Sequence, residues 1–327
     1  MSLWLKADEP ALILAPMEGV TDAPMRALLT ERGGYTFCVT EFLRVTGEVP
    51  SVRSFYEHVP ELHRGGLTAA GTPVQVQLLG GNEEVMAQTA LRACQLGARA
   101  IDINFGCPSP FVNRNDGGAA LLRYPGRIRS IVAAMRAAVP REIPVSAKLR
   151  LGWENIDDIF VNAEQAALGG ASWLTIHART RVQGYRSPVH WKHIGEVRKR
   201  VGIPVVANGD LWSVEDFERC REETGAVHFM LARGGLADPA LVHELARRLG
   251  LARPDVASAY PFGLEPRDWS PILRRFAELT EPQASGHQYS SRRIKQWLSF
   301  VHMKRPIPWF DELKREQDLQ SVLAVLG

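Results

Sequence analysis

The chain has 327 residues, of which 45% are hydrophobic, with a formal net charge of +3 and four cysteines. That is enough apolar material for one large domain and a smaller one, and too small a basic excess to argue a nucleic-acid partner from net charge. No apolar run approaches the roughly 18 to 20 uncharged residues of a membrane span, and the N-terminal MSLWLKADEP carries acids where a signal peptide is basic and then apolar; a cytoplasmic protein is expected.

Taken in chain order, continuous apolar runs rich in β-branched residues predict strands over 11–15, 37–41, 74–78, 100–104, 143–148, 173–177, 204–208 and 227–231. Each is followed by a segment of helical period. Unbroken rather than alternating hydrophobicity marks a parallel sheet buried on both faces. The helix opening at Asn82 has a side-chain cap, two acids in its first turn and a stop at Gly97; that opening at Ser213 stops at Gly225. Eight such units close a (β/α)8 TIM barrel over residues 1–250. A doubly wound sheet would announce a dinucleotide by GxGxxG after its first strand, and the chain has no GxGxxG. From about 250 to 265 the sequence turns rich in proline and alanine, and then reads as helices in WSPILRRFAELTEP, YSSRRIKQWLSFVHM and PWFDELKREQDLQSVLAVL. A C-terminal all-helical domain over 251–327 is expected.

In a barrel of this kind the site lies where the strands end. Past those ends stand Pro16, Met17 and Glu18; Glu41; Gln77; Asn104 and Cys107; Lys148 and Arg150; His177 and Arg179; Asn208, Gly209 and Asp210; and Ala232, Arg233 and Gly234. The last two groups suit a phosphate held between the loops after strands 7 and 8, which implies a phosphate-bearing cofactor or substrate, with FMN the natural candidate. Lys148 fits either the Schiff base of a barrel aldolase or a cation beside a reduced flavin; Gln77 and Asn208 have a task only in the second case.

Cys38, Cys94 and Cys220 sit in apolar or helical patterns and read as small buried hydrophobes. There is no CxxC pair, and no metal site is expected. Only Cys107 stands in a polar loop, where Gly106 is expected to allow a tight turn and Pro108 to hold the thiol out of helical geometry. A thiol is mostly protonated near neutrality and can act as a general acid; a nucleophilic role remains open.

With APMEGVTD, TEF, VQLLG, INFGCP, SAKLRLGW, IHART, VANGD and RIKQW in this order, nearly the whole chain resembles the tRNA-dihydrouridine synthases, most closely the bacterial C-type branch acting on uridine 16 of the tRNA D-loop. The resemblance implies an FMN barrel that reduces the C5=C6 bond of uridine with NADPH (or NADH) as reductant, hydride passing from flavin N5 to C6 and a proton from Cys107 to C5. It places Pro16, Met17 and Glu18 under the flavin, Gln77 and Lys148 at its edge, His177 nearby, and Asn208, Gly209, Asp210, Ala232 and Arg233 at the phosphate. Asn104 and Tyr185 would face the flipped uridine. A monomer is implied. Two departures are visible. Pro110 and Phe111 stand where the family commonly has lysine, and ARGG replaces the usual GRG, adding a methyl at Ala232.

The segment 287–305 carries Arg292, Arg293, Lys295, Lys304 and Arg305 and no acid, a pattern that suits an RNA backbone. Ile294, Trp297, Leu298 and Val301 make an apolar stripe at helical spacing, which is expected to leave Arg293, Lys295 and Gln296 facing RNA. Arg44 and Phe300 are further expected tRNA contacts. A simple RNA-binding protein would need the basic helix but not Cys107 or Lys148. A small-molecule flavoenzyme, such as a relative of dihydroorotate dehydrogenase, would need the rim but not the tail.

Overall fold

A computed structural model describes residues 4–251, 265–281 and 286–326. Eight strands, β1 (Ala11–Leu14), β2 (Phe37–Arg44), β3 (Val74–Leu79), β4 (Ile101–Phe105), β5 (Val145–Arg150), β6 (Leu174–His177), β7 (Val205–Asn208) and β8 (His228–Leu231), form a closed barrel in sequence order. Every pairing is parallel, and β1 closes on β8 with Leu14 opposite Leu231. All eight expected strands are present, displaced by a few residues at their ends. β2 runs longest, and its register shifts between Val39 and Phe42, an irregularity of the kind that re-aims a strand end.

The barrel is a packed core, not a channel. Ala11, Ile13, Phe37, Val39, Trp173, Val206 and Met230 form one buried apolar cluster, while the outward positions join the helices in a second, larger one. Both expected caps are made: Asn82 accepts from Glu84 and Val85 N–H at 3.1 Å, and Ser213 from Asp216 N–H. Gly225 closes its helix in the left-handed conformation.

Beyond the barrel lie helices Pro266–Thr280, Gly286–Lys304, Phe310–Leu313 and Leu319–Val325. The last expected helix divides in two because Asp318 caps a new start, accepting from Ser321 N–H at 2.9 Å. The proline-rich junction falls mostly on 252–264, outside the described residues. Among the described residues no helix is long and apolar enough to cross a membrane.

The apolar stripe of Gly286–Lys304 is buried as expected, with Ile294, Trp297, Leu298 and Val301 at most 1% exposed. It packs on the barrel, where Trp297 Nε1 donates to the Leu236 carbonyl at 2.8 Å and Lys304 Nζ donates to the Trp212 carbonyl. Arg293 departs from expectation. It is 6% exposed and turned inward, donating to the Asp22 carboxylate at 3.1 Å, to the Gly19 carbonyl at 2.7 Å and to the Val20 carbonyl. Helical spacing alone set it on the free face; the loop after β1 comes up to meet that face with acceptors. Arg293 is therefore not a free surface cation, and Lys295 is half-buried with Nζ on the Glu316 carbonyl.

Candidate active site

A cavity of about 450 Å³ opens at the C-terminal mouth of the barrel, within the usual range for a small-molecule site. Of the residues expected to hold FMN, donate the proton, face the uridine or contact tRNA, Arg44, Arg293, Lys295 and Gln296 lie outside its lining and the others line it. Phe300 and Met303 complete the wall from the tail helix, so that wall exists only because the tail docks. Arg44 lies at the end of β2, its guanidinium 4.4 Å from the ring centre of Phe111, which is 64% exposed.

The loop that presents Cys107 is built differently from expectation. Gly106 does not use the left-handed region, and a Cβ there would meet only ordinary contacts, such as Arg150 Cγ at 3.6 Å. The turn is made by the Asn104 side chain, whose Oδ1 accepts from Gly106 and Cys107 N–H at 2.9 and 2.8 Å. The indispensable glycine is Gly118: its φ is +59°, and a Cβ there would lie 3.0 Å from the Cys107 Cβ. Arg150, only 3% exposed, ties this loop to the next, donating from Nε to the Gly106 carbonyl at 2.8 Å and from Nη1 to Gly184 and Thr180. Sequence placed Arg150 on the rim without a role, because the carbonyls it joins are remote in the chain.

Burial, with the Glu18 carboxylate nearby, raises the Cys107 thiol above its ordinary value despite a backbone hydrogen bond at Ser109 and the cations of Arg150 and Lys148. It stays protonated at neutral pH. Burial and then Arg150 push Lys148 down to about 8; its Nζ donates to Asn208 Oδ1 at 3.2 Å. His177 is held well below its ordinary value, by burial and then by Arg150, Lys148, Arg179 and Arg233 around it, so it is neutral. Burial and the neighbouring Glu41 raise Glu18 to about 7. At the β7 end, Gly209 has φ +117°, and a Cβ would strike His177 Cδ2 at 2.8 Å. Burial works against the Asp210 charge, but Arg179 and Arg233 keep its carboxyl below the ordinary range. Tyr185 stands 57% exposed over the cavity, its ring 4.6 Å from the Arg233 guanidinium.

Gln77 and Asn104 have their amides engaged inside the protein. Gln77 Nε2 donates to Asp102 at 2.7 Å, and Asn104 Nδ2 donates to Gln77 Oε1 at 2.8 Å. Asp102, a buried carboxyl that the sequence reading passed over, could have been found by alternation: in IDINF it shares the inward face with Asn104.

A closed parallel barrel that gathers a protonated thiol, an amine and the guanidinium groups of Arg150 and Arg233 around one cavity defines a (β/α)8 barrel enzyme with a site suited to an anionic ligand. The chain belongs to the dihydrouridine synthase family: the family described as "Dihydrouridine synthase (Dus)" matches residues 13–317. It is 42% identical over 326 residues to a tRNA-dihydrouridine(16) synthase of Pseudomonas syringae pv. tomato, covering 97% of this chain and 98% of the relative. It is 43% identical over 319 residues to the tRNA-dihydrouridine(16) synthase of Shewanella oneidensis, covering 96% of each. Among solved structures it is similar to a 2-naphthoyl-CoA reductase in complex with 2-naphthoyl-CoA, with TM-score 0.55 and 12% identity over 72% of this chain and 50% of that one. That last likeness carries the fold alone.

Proposed function

We propose that this protein reduces a uridine of the tRNA D-loop, at position 16, to 5,6-dihydrouridine, using FMN reloaded by NADPH or NADH, with residues 251–327 serving as a tRNA-binding domain and the protein working as a cytoplasmic monomer. The observation that carries the reading is the pairing of the Cys107 thiol with the Lys148 ammonium in one cavity, in a chain of this family.

The cavity fits the cofactor. Among the described residues Lys148 has one hydrogen bond, to Asn208, which leaves ammonium donors for a ligand. Arg233 beside Gly209 and Ala232 supplies charge and close approach for a phosphate. Pro16, Met17, Glu18, Gln77, His177 and Asp210 complete the holding surface. FMN held by these residues would supply hydride-transfer chemistry to the C5=C6 bond of uridine. Cys107 keeps its proton at neutral pH and delivers it to C5; Asn104 and Arg150 hold the loop from which it acts. Tyr185 and Phe300 receive a base drawn from its stack, and the half-buried Arg44, with the exposed Phe111 ring against it, offers a charge and a ring to the RNA beside that base.

Incubation with unmodified tRNA and NADPH, followed by mapping of saturated pyrimidines, should yield dihydrouridine at position 16. Cys107→Ala should retain flavin and its reduction by NADPH while tRNA turnover falls at least about a hundredfold, the scale of a lost general acid. Unchanged turnover would remove Cys107 from the role.

A further inference from the structure

We propose that Asp102 is a positioning residue: from inside the barrel it sets the direction of two stacked amides, Gln77 and Asn104, and through them the placement of the Cys107 loop. The inference deepens the reading of Cys107 as proton donor and rests on it.

The side chains form one unbroken line. Gln75 Nε2 donates to Ser146 Oγ at 2.9 Å, and Ser146 Oγ donates to Asp102 Oδ1. Gln77 Nε2 donates to Asp102 Oδ2 at 2.7 Å, Asn104 Nδ2 donates to Gln77 Oε1 at 2.8 Å, and Asn104 Oδ1 accepts both Gly106 and Cys107 N–H. Gln77 is fully buried, Asp102 2% exposed and Asn104 9% exposed, so water offers little competition.

An amide is two-faced and can reverse; an ionised carboxylate only accepts. With Asp102 ionised, Gln77 must turn its NH2 down and its carbonyl up. Asn104 must then turn its NH2 to Gln77 and its oxygen to the loop. The two loop N–H groups demand the same orientation from the other end. Burial raises Asp102 only to about 6, against hydrogen bonds from Ser146 and Gln77 and the charge of Lys148, so it is ionised at neutral pH. A donor at this position would permit the reversed line, in which NH2 faces N–H and the loop loses its acceptor.

The test moves the carboxylate by one residue along the line. Asp102→Asn should speed iodoacetamide alkylation of Cys107, mapped by mass spectrometry on the flavin-loaded protein, and lower tRNA turnover about tenfold or more, the scale of a modest misplacement. Gln77→Glu alone sets two carboxylates face to face and should also disturb Cys107. When the two substitutions are combined, the amide introduced at position 102 donates to the carboxylate introduced at position 77, which in turn accepts from Asn104. The orientation at the loop is then restored, so the double variant should alkylate closer to wild type than either single one. Alkylation of Asp102→Asn at the wild-type rate with full turnover overturns the proposal. So does a double variant that alkylates, or folds, no better than both singles. If Cys107→Ala keeps full turnover, the acid role fails, while the alkylation series still reports whether Asp102 places the loop.

Discussion

Lys148 shows how one buried charge ties stability to binding in opposite senses. Its titration falls from an ordinary 10.5 to about 8 on folding, so the folded protein holds that proton less tightly than the unfolded chain does. The corresponding stability is complete above 10.5 and is lost as pH falls through about 8. Binding of the proposed anionic flavin would need the cation that folding discourages. A charge-assisted hydrogen bond is worth about 1.5–3 kcal/mol, so flavin affinity should drop roughly tenfold from about pH 7 to about 9. Lys148→Met should bind flavin more weakly and without that dependence, as fluorescence titration across the range would reveal; a variant with the wild-type profile would place the titrating group elsewhere. Residue chemistry at this level was largely legible. Cys107 stands out as a thiol in the loop after β4 and Lys148 as an amine within the last residues of β5, where an inert barrel has no use for them. Asp102 did not stand out, because a single acid in a strand is silent until β3 and β5 bring Gln77 and Ser146 against it.

The tail helix Gly286–Lys304 was recognisable from its apolar stripe, but the work of its polar face was not. Arg293 is the clearest instance. Together with the Tyr289 hydroxyl it engages Asp22, and it reaches two carbonyls in the loop that carries Pro16, Met17 and Glu18. Breaking a buried ion pair from one side leaves the other charge stranded and costs about 3–5 kcal/mol. Arg293→Ala should therefore lower thermal stability markedly and loosen flavin as well as tRNA, measured by melting temperature and by the flavin content of purified protein. A variant with full flavin content and an unchanged melting temperature, weakened only toward tRNA, would return Arg293 to the RNA-facing role that helical spacing implied. Lys295, half-buried beside the Glu316 carbonyl, should cost less on replacement because its ammonium gives up a single carbonyl.

For the molecule as a whole, barrel and tail share one buried core and one cavity. Trp297, Phe276 and Leu273 are at most 1% exposed, and Phe300 and Met303 line the site opened by the strands. A fragment ending at residue 250 should therefore aggregate and purify with little flavin, as gel filtration and absorbance would report; a monodisperse, flavin-loaded fragment would make the tail dispensable to the site. The chain by itself determined the eight strands, the capped helices and the rim, because hydrophobic period and cap chemistry are local and the closure of eight βα units follows from their number. Only the tertiary structure decided which polar groups meet: Asn104 rather than Gly106 makes the cysteine turn, Gly118 gives it room, Arg150 joins two loops and Arg293 faces inward. Those outcomes depend on donors and acceptors distant in sequence, and a buried hydrogen bond is specified by both of its partners together.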